Sequence, residues 1–304
     1  MDVYLPIANL SVNGLFIVAL GALTGLLSGM FGVGGGFLTT PLLIFYGVPP
    51  TVAAASAASQ VTGASVSGVF AHSRRGGVDY QMGLVLVAGG VIGTGIGAVL
   101  FRLLQQLGQI DTVINVLYVV LLGSIGSLMA RESLQVMKAE RTGVPVPARK
   151  RRHHPMVANL PMRWRFYRSG LYISPLAPLL LGVAVGVLTM LMGIGGGFVL
   201  VPAMLYILGM SANAVVGTSL FQILFVTMVT TMMHALTTKA VDIVLAVLLL
   251  FGSVSGAQIG SALAQKASPV KLRLLLAVIV LLVALRMVLG LAWRPDEIYS
   301  VSPL

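Results

Sequence analysis

The chain of 304 residues is 57% hydrophobic and only 9% charged, far more apolar than a soluble core of this length needs, which excludes a soluble globular protein and indicates a polytopic membrane protein. The formal net charge is +11, but ten of the 19 Lys and Arg lie between Arg131 and Arg168. That concentration is the mark of one cytoplasmic loop and excludes a nucleic-acid groove threaded through a fold, and the absence of Cys excludes disulfides and thiolate metal sites. At the start, Met1-Asp-Val-Tyr-Leu-Pro6 lacks the basic n-region of a signal peptide, so the first apolar run is expected to remain in the mature protein.

Residues 13–31 are long enough to span a bilayer, and residues 37–46 are too short, since a crossing takes roughly 20 helical residues. Between them stands Phe31-Gly-Val-Gly-Gly-Gly-Phe37, so 13–46 reads as a broken or re-entrant hairpin, with a short helix expected to begin near Thr39. Spans follow at 51–71, 82–103 and 111–130, with a basic link through Arg74 and Arg75. Residues 131–172 form a hydrophilic loop that carries Arg149-Lys-Arg-Arg-His-His154 and, among arginines, Trp164, Phe166 and Tyr167. It suits either a cytoplasmic membrane surface or a solvated linker. The pattern then restarts with a broken run at 176–209 and spans at 211–236, 241–264 and 271–293.

The second half echoes the first in order. Gly25 matches Gly186, Gly32 matches Gly193, Phe37 matches Phe198 and Pro41 matches Pro202. With one-residue shifts Gln60 matches Gln222, His72 matches His234, and Val78-Asp79 matches Val241-Asp242. Such a series reads as an internal duplication, dividing the chain into a first transmembrane repeat (1–130), a basic cytoplasmic loop (131–172) and a second repeat (173–304). If each broken segment returns to its own side, each repeat crosses three times. Arg74, the 131–172 loop and Lys266, Lys271 and Arg273 then all face the cytoplasm, and the second repeat is inverted relative to the first. Four crossings per repeat would put the last three outside, against the charge bias, so inversion is the favoured arrangement.

A glycine break at membrane depth exposes amides, and irregular backbone is tolerated there only where protein or water covers it. Helix N-termini present unpaired N–H groups and partial positive charge, which bind anions without a basic side chain. Two such breaks from opposite repeats point to a midplane anion site. The candidate donors are Gly34, Gly35 and Gly36, with Gly195, Gly196 and Gly197 from the second copy. Ser56, Gln60, Gly63 and Ser67 share one helical face, and Thr218 and Gln222 hold the matching places, so Gln60, Gln222, Ser56 and Thr218 are candidate side-chain ligands. Interhelical hydrogen bonding is the competing role for these polar groups, and close packing for the glycines, Gly93-x-x-x-Gly97 and Gly256-x-x-x-Gly260 above all. No Asp or Glu lies mid-span, so no carboxylate proton or sodium relay is expected; His72 and His234 read as interfacial residues at helix ends, and Arg286 as snorkelling outward.

Enzyme signatures are missing: no Gly-Lys-Ser/Thr follows the glycines, and their membrane context does not fit a dinucleotide fingerprint. The paired motifs Gly25…Gly32-Val-Gly-Gly-Gly-Phe37…Pro41 and Gly186…Gly193-Ile-Gly-Gly-Gly-Phe198…Pro202, with Gln60 or Gln222 on the next helix, resemble the sulfite exporter TauE/SafE family, over about residues 14–130 and 175–292. That resemblance implies a multi-pass transporter of the bacterial inner membrane that exports sulfur-containing anions such as sulfite or organosulfonates. The expectation is therefore an all-α integral membrane protein of two homologous, inverted repeats, each a glycine-broken re-entrant segment plus about three spanning helices. It acts on a small anionic substrate within the lipid bilayer, with no cofactor, metal or nucleic acid, and a homo-oligomer is compatible with it. An anion channel, or a non-transporting scaffold that docks partners through the basic loop, are the alternatives.

Overall fold

The computed structural model describes residues 2–31, 33–74, 76–142, 164–264 and 269–292. Gly32, Arg75, Lys266, Arg294 and residues 143–163 of the basic loop lie outside them. A short antiparallel hairpin, β1 (Asp2–Leu5) and β2 (Leu10–Asn13), leads into α1 (Gly14–Phe31) and α2 (Gly36–Phe45). Three long helices follow: α3 (Pro50–Arg74), α4 (Tyr80–Gln106) and α5 (Ile110–Thr142). A second hairpin, β3 (Trp164–Phe166) and β4 (Leu171–Ile173), opens the second half. Then come α6 (Leu176–Met192), α7 (Gly197–Tyr206), α8 (Ala212–Met233), a π-helical turn (His234–Thr238), α9 (Ile243–Ala264) and α10 (Pro269–Ala292). The short helix begins at Gly36, three residues before the expected Thr39, because Gly35 at φ 65° already supplies the turn that opens it.

Among the described residues, six helices are long and apolar enough to cross a membrane. Helix α3 is not among them although it runs for 25 residues. The reason is its composition: Ser56, Ser59, Gln60, Thr62, Ser65 and Ser67 lower its hydropathy, and Ala53, Ala54, Ala55, Ala57 and Ala58 are fully buried against protein. Small residues let neighbours close on such a helix without lipid-facing bulk.

The helices pair across the two halves. Glycines bring α1 against α9 and α4 against α6 so closely that a Cβ on Gly25 would stand 2.3 Å from the Ser253 carbonyl, and one on Gly93 2.1 Å from that of Val183. The Gly93 and Gly97 pair and the Gly256 and Gly260 pair thus serve packing, as their spacing suggests. Residue numbers rise together along both contacts, so both pairs are parallel. By contrast α3 meets α8 antiparallel, with Ser59 against Thr231, Thr62 against Thr227 and Gly68 against Leu220. Helix α5 meets α10 the same way, with Gly126 against Val280 and Glu132 against Arg273.

The first glycine-broken segment turns back on itself. Tyr46, at the end of α2, stacks on Phe16 and accepts a hydrogen bond from the Asn13 amide, both at the start of α1. One face of the bundle therefore carries the β1–β2 hairpin, the end of α2 and the start of α3. The opposite face carries the ends of α3 and α5, the β3–β4 hairpin and the start of α6.

The two hairpins are additions that hydropathy does not reveal. Each is clamped to an aspartate at the head of a helix in the other half. Asp242 accepts from the Leu245 amide at its own helix start and from the amides of Ile7 (3.0 Å) and Ala8. Asp79 accepts from the Met82 amide and from both the amide and hydroxyl of Ser169. Charge-assisted acceptance from several amides is the strong form of an N-cap.

Candidate functional site

Both glycine breaks lie at the centre and touch each other. A Cβ on Gly36 would sit 2.7 Å from the Gly193 carbonyl oxygen, and one on Gly197 2.5 Å from that of Val33. Gly34, Gly35, Gly195 and Gly196 have φ of 65–85°, the left-handed region open to Gly. Phe37 and Phe198, the residues after the motifs, stack face to face at 4.7 Å. The six glycines singled out in the sequence are thus brought together, with Val61 and Ile223 packed against them.

Backbone hydrogen bonding is incomplete here. Gly36 donates to the Gly34 carbonyl at 2.7 Å, while Leu38 and Thr39 both donate to Gly35, and Val199 and Leu200 to Gly196. The amides of Phe37, Gly197 and Phe198, in the first turns of α2 and α7, find no acceptor among the described residues. Two helix N-termini therefore bring open donors and partial positive charge to one buried place.

Gln60 and Gln222 precede Val61 and Ile223 and are buried on α3 and α8. Gln60 Nε2 donates to Thr24 Oγ1 at 3.2 Å, but its Oε1 has no partner. Gln222 has none for either amide atom. An unpaired buried amide costs about 1–3 kcal/mol, so a bound group or water is the expected partner. Ser56 and Thr218 lie one turn from the two glutamines, but their hydroxyls are engaged toward opposite faces. Ser56 accepts from the Asp242 amide at 3.1 Å and Thr218 from the Asp79 amide at 2.9 Å. They do not meet the glycine junction.

His234, at the end of α8, is fully buried: its Nε2 lies 3.0 Å from the Met190 carbonyl and its Nδ1 3.2 Å from Thr238 Oγ1. A polar imidazole this deep is held by those two partners and by Phe101 edge-on at 5.0 Å. Arg286 lies over the Phe45 ring. Sequence reading also passed over Thr24, Thr62, Thr227 and Tyr118. Thr62 donates to Thr227 at 2.8 Å, and Tyr118 donates to the Met192 carbonyl at 2.7 Å beside the second break. Hydroxyls on apolar helices carry no periodic signal; only a residue-by-residue overlay of the two halves could have singled them out. Among the described residues no cluster of His, Cys, Asp or Glu could hold a metal ion.

A cavity of about 350 Å³ opens beside this junction. It reaches from Val33 and Phe198 outward to Glu132, Tyr206 and Arg273, on the face where α5 and α7 end and α10 begins. Arg273 stands 3.9 Å from Glu132, which also accepts from the Tyr206 hydroxyl.

Comparison with known proteins agrees with a transport protein. The family model described as Sulfite exporter TauE/SafE matches residues 17–287. A probable membrane transporter protein of Bacillus subtilis, YjnA, is 28% identical over 90% of this chain and 98% of its own length. A probable membrane transporter protein of Xylella fastidiosa is 27% identical over 90% of this chain and 93% of its own. Sulfite exporter TauE/SafE family protein 3 of Arabidopsis thaliana is 35% identical over a shorter stretch, 32% of this chain and 21% of that protein. No solved structure gives a significant match. Placement in a bacterial inner membrane fits the Bacillus relative, and with six apolar helices in hand the chain belongs to the sulfite exporter TauE/SafE family, as a multi-pass membrane transporter and not an enzyme.

Proposed function

We propose that the protein is a secondary transporter that exports small sulfur-containing anions, sulfite or organosulfonates, and binds them where the two glycine breaks meet. The observation that carries this reading is the junction itself. The helix N-termini following Gly34–Gly36 and Gly195–Gly197 converge in the buried centre with open amides, and the unpaired side chain of Gln222 lies on the adjoining helix. Two converging N-termini suit an anion, and uncharged donors suit one that must leave again. The backbone amides and the amides of Gln60 and Gln222 are the ligands in this reading. Ser56 and Thr218 position the helices that carry the glutamines by holding the Asp242 and Asp79 amides.

The same reading takes the two halves as repeats of inverted orientation. The antiparallel pairing of α3 with α8 and of α5 with α10 supports it, because each pairs a helix with its own counterpart. Positive-inside charge then puts Arg74, the 131–172 loop and Arg273 in the cytoplasm. The division into 1–130, 131–172 and 173–304 is kept, except that 131–142 continue α5 of the first repeat and the β3–β4 hairpin goes with the second, as β1–β2 does with the first. The cavity beside the junction reaches toward the loop face, while Tyr118 is fully buried on the other side, which favours a transporter over a channel. Purified protein in liposomes should show saturable flux of at least one of sulfite, thiosulfate or a short sulfonate; no flux of any sulfur anion would remove the substrate assignment.

A further inference from the structure

The two faces of the glycine junction are built from matched parts, yet a cavity stands on one and a buried side chain fills the matching place on the other. The cavity lies on the face of the 131–172 loop, bordered by Phe31, Val201 and Leu272. Its counterpart on the opposite face would be bordered by Met192, Thr40 and a residue of α5. Three contacts fix which one. Gly126 meets Val280 where α5 and α10 cross, Glu132 reaches Tyr206, and Arg286 lies over Phe45, the residue that matches Tyr206. With these overlaid, Leu272 in the second half corresponds to Tyr118 in the first.

Tyr118 fills the space that stays empty beside Leu272. It is fully buried, and its hydroxyl donates to the Met192 carbonyl at 2.7 Å. Thr40 Oγ1 also donates to that carbonyl, at 3.3 Å. Ile114, Phe37 and Ile194 complete the packing. The Met192 carbonyl ends α6, one residue before the second glycine motif, so this hydrogen bond ties α5 to the broken segment of the other half. A single bond of this kind contributes little net free energy, and it can be exchanged for water when the half-path opens.

Resting on the transporter reading, we infer that the cavity is the open half of the transport path in an inward-facing state and that Tyr118 is the gate that seals the opposite half. Alternating access then consists of withdrawing Tyr118 from Met192 while the cavity beside Leu272 collapses.

The chain has no Cys, so single cysteines report water access directly. The matched positions Val201 and Thr40 serve, the first partly exposed and the second fully buried. In membrane vesicles of both orientations, a membrane-impermeant maleimide should label Val201→Cys from the loop face only and leave Thr40→Cys protected from both. Adding Tyr118→Phe should speed labelling of Thr40→Cys from the opposite face about fivefold and slow that of Val201→Cys, the shift expected from losing one net hydrogen bond. Equal labelling of the two cysteines, labelling of Val201→Cys from the opposite face, or no response of either cysteine to Tyr118→Phe or Tyr118→Ala would overturn the gate. An elution profile in detergent matching the parent excludes misfolding as the cause. No flux enters this readout, so a chain that gates as stated but carries no sulfur anion would sink the substrate assignment alone.

Discussion

The two glycine-broken hairpins share a motif and differ in what stands behind it. Behind the first, Thr24 and Ser28 face Gly35, and Thr24 accepts from Gln60. Behind the second, Val185 occupies the place of Thr24, and a Cβ on Gly196 would come within 2.1 Å of its methyl. Gln222, which matches Gln60, is without a partner for either amide atom. The fold can therefore tie down one amide of a matched pair and leave the other for a guest. The difference lies in one side chain on a neighbouring helix, not in the motif.

The largest effect should come from forcing the two motifs apart. Gly36→Val and Gly197→Val place methyl groups where carbonyls of the other motif stand at 2.7 and 2.5 Å, and neither backbone can yield cheaply. Either change should cut transport at least about tenfold in liposomes, the rate cost of a strain of order 1.4 kcal/mol or more. The opposite result, bulk tolerated at both sites with full flux, would remove the glycine junction as the binding site.

The comparison of the hairpins itself predicts unequal glutamines. Gln222→Leu should raise the KM for the transported anion about tenfold, the scale of a lost hydrogen bond to a charged group. Gln60→Leu should raise it less, about threefold, because part of that amide already serves Thr24. Val185→Thr sharpens the test by giving Gln222 the partner that Gln60 has. Weaker substrate affinity with unchanged or improved thermal stability is the expected outcome, and equal KM shifts for the two leucine variants would contradict the asymmetry.

The two aspartate clamps should behave alike, because their partners match. Asp79→Ala and Asp242→Ala each remove an N-cap and two bonds to a hairpin amide or hydroxyl, so each should lower the thermal midpoint by several degrees in detergent. Transport by the fraction that stays folded should change little. A fall confined to one of them would mean that only one hairpin is structurally coupled.

Much of this was legible in the sequence because it is written in period and spacing. Long apolar runs gave the spans, the repeated Gly-x-Gly-Gly-Gly-Phe gave the breaks, and the offset of Val78-Asp79 from Val241-Asp242 gave the matched helix starts. The hairpins escaped because Asp2–Leu5 and Trp164–Phe166 are too short to show an alternating pattern. What the polar groups do also escaped. Ser56 and Gln60 lie on one face of α3 four residues apart, yet the first is bound to a helix cap and the second to Thr24 of α1. Helical periodicity sets the face, but the partner comes from another helix. Tyr118 reads as an ordinary apolar-span tyrosine until the opposite face is seen to lack its equivalent.

Equilibrium binding is the measurement that bears most directly on the converging breaks. The anion transported by the wild-type protein should bind the purified chain saturably; Gly197→Val should lose that binding and Gln222→Leu should weaken it about tenfold, each keeping the parent's elution profile. Binding that survives in both variants at wild-type affinity would place the anion elsewhere and contradict the account.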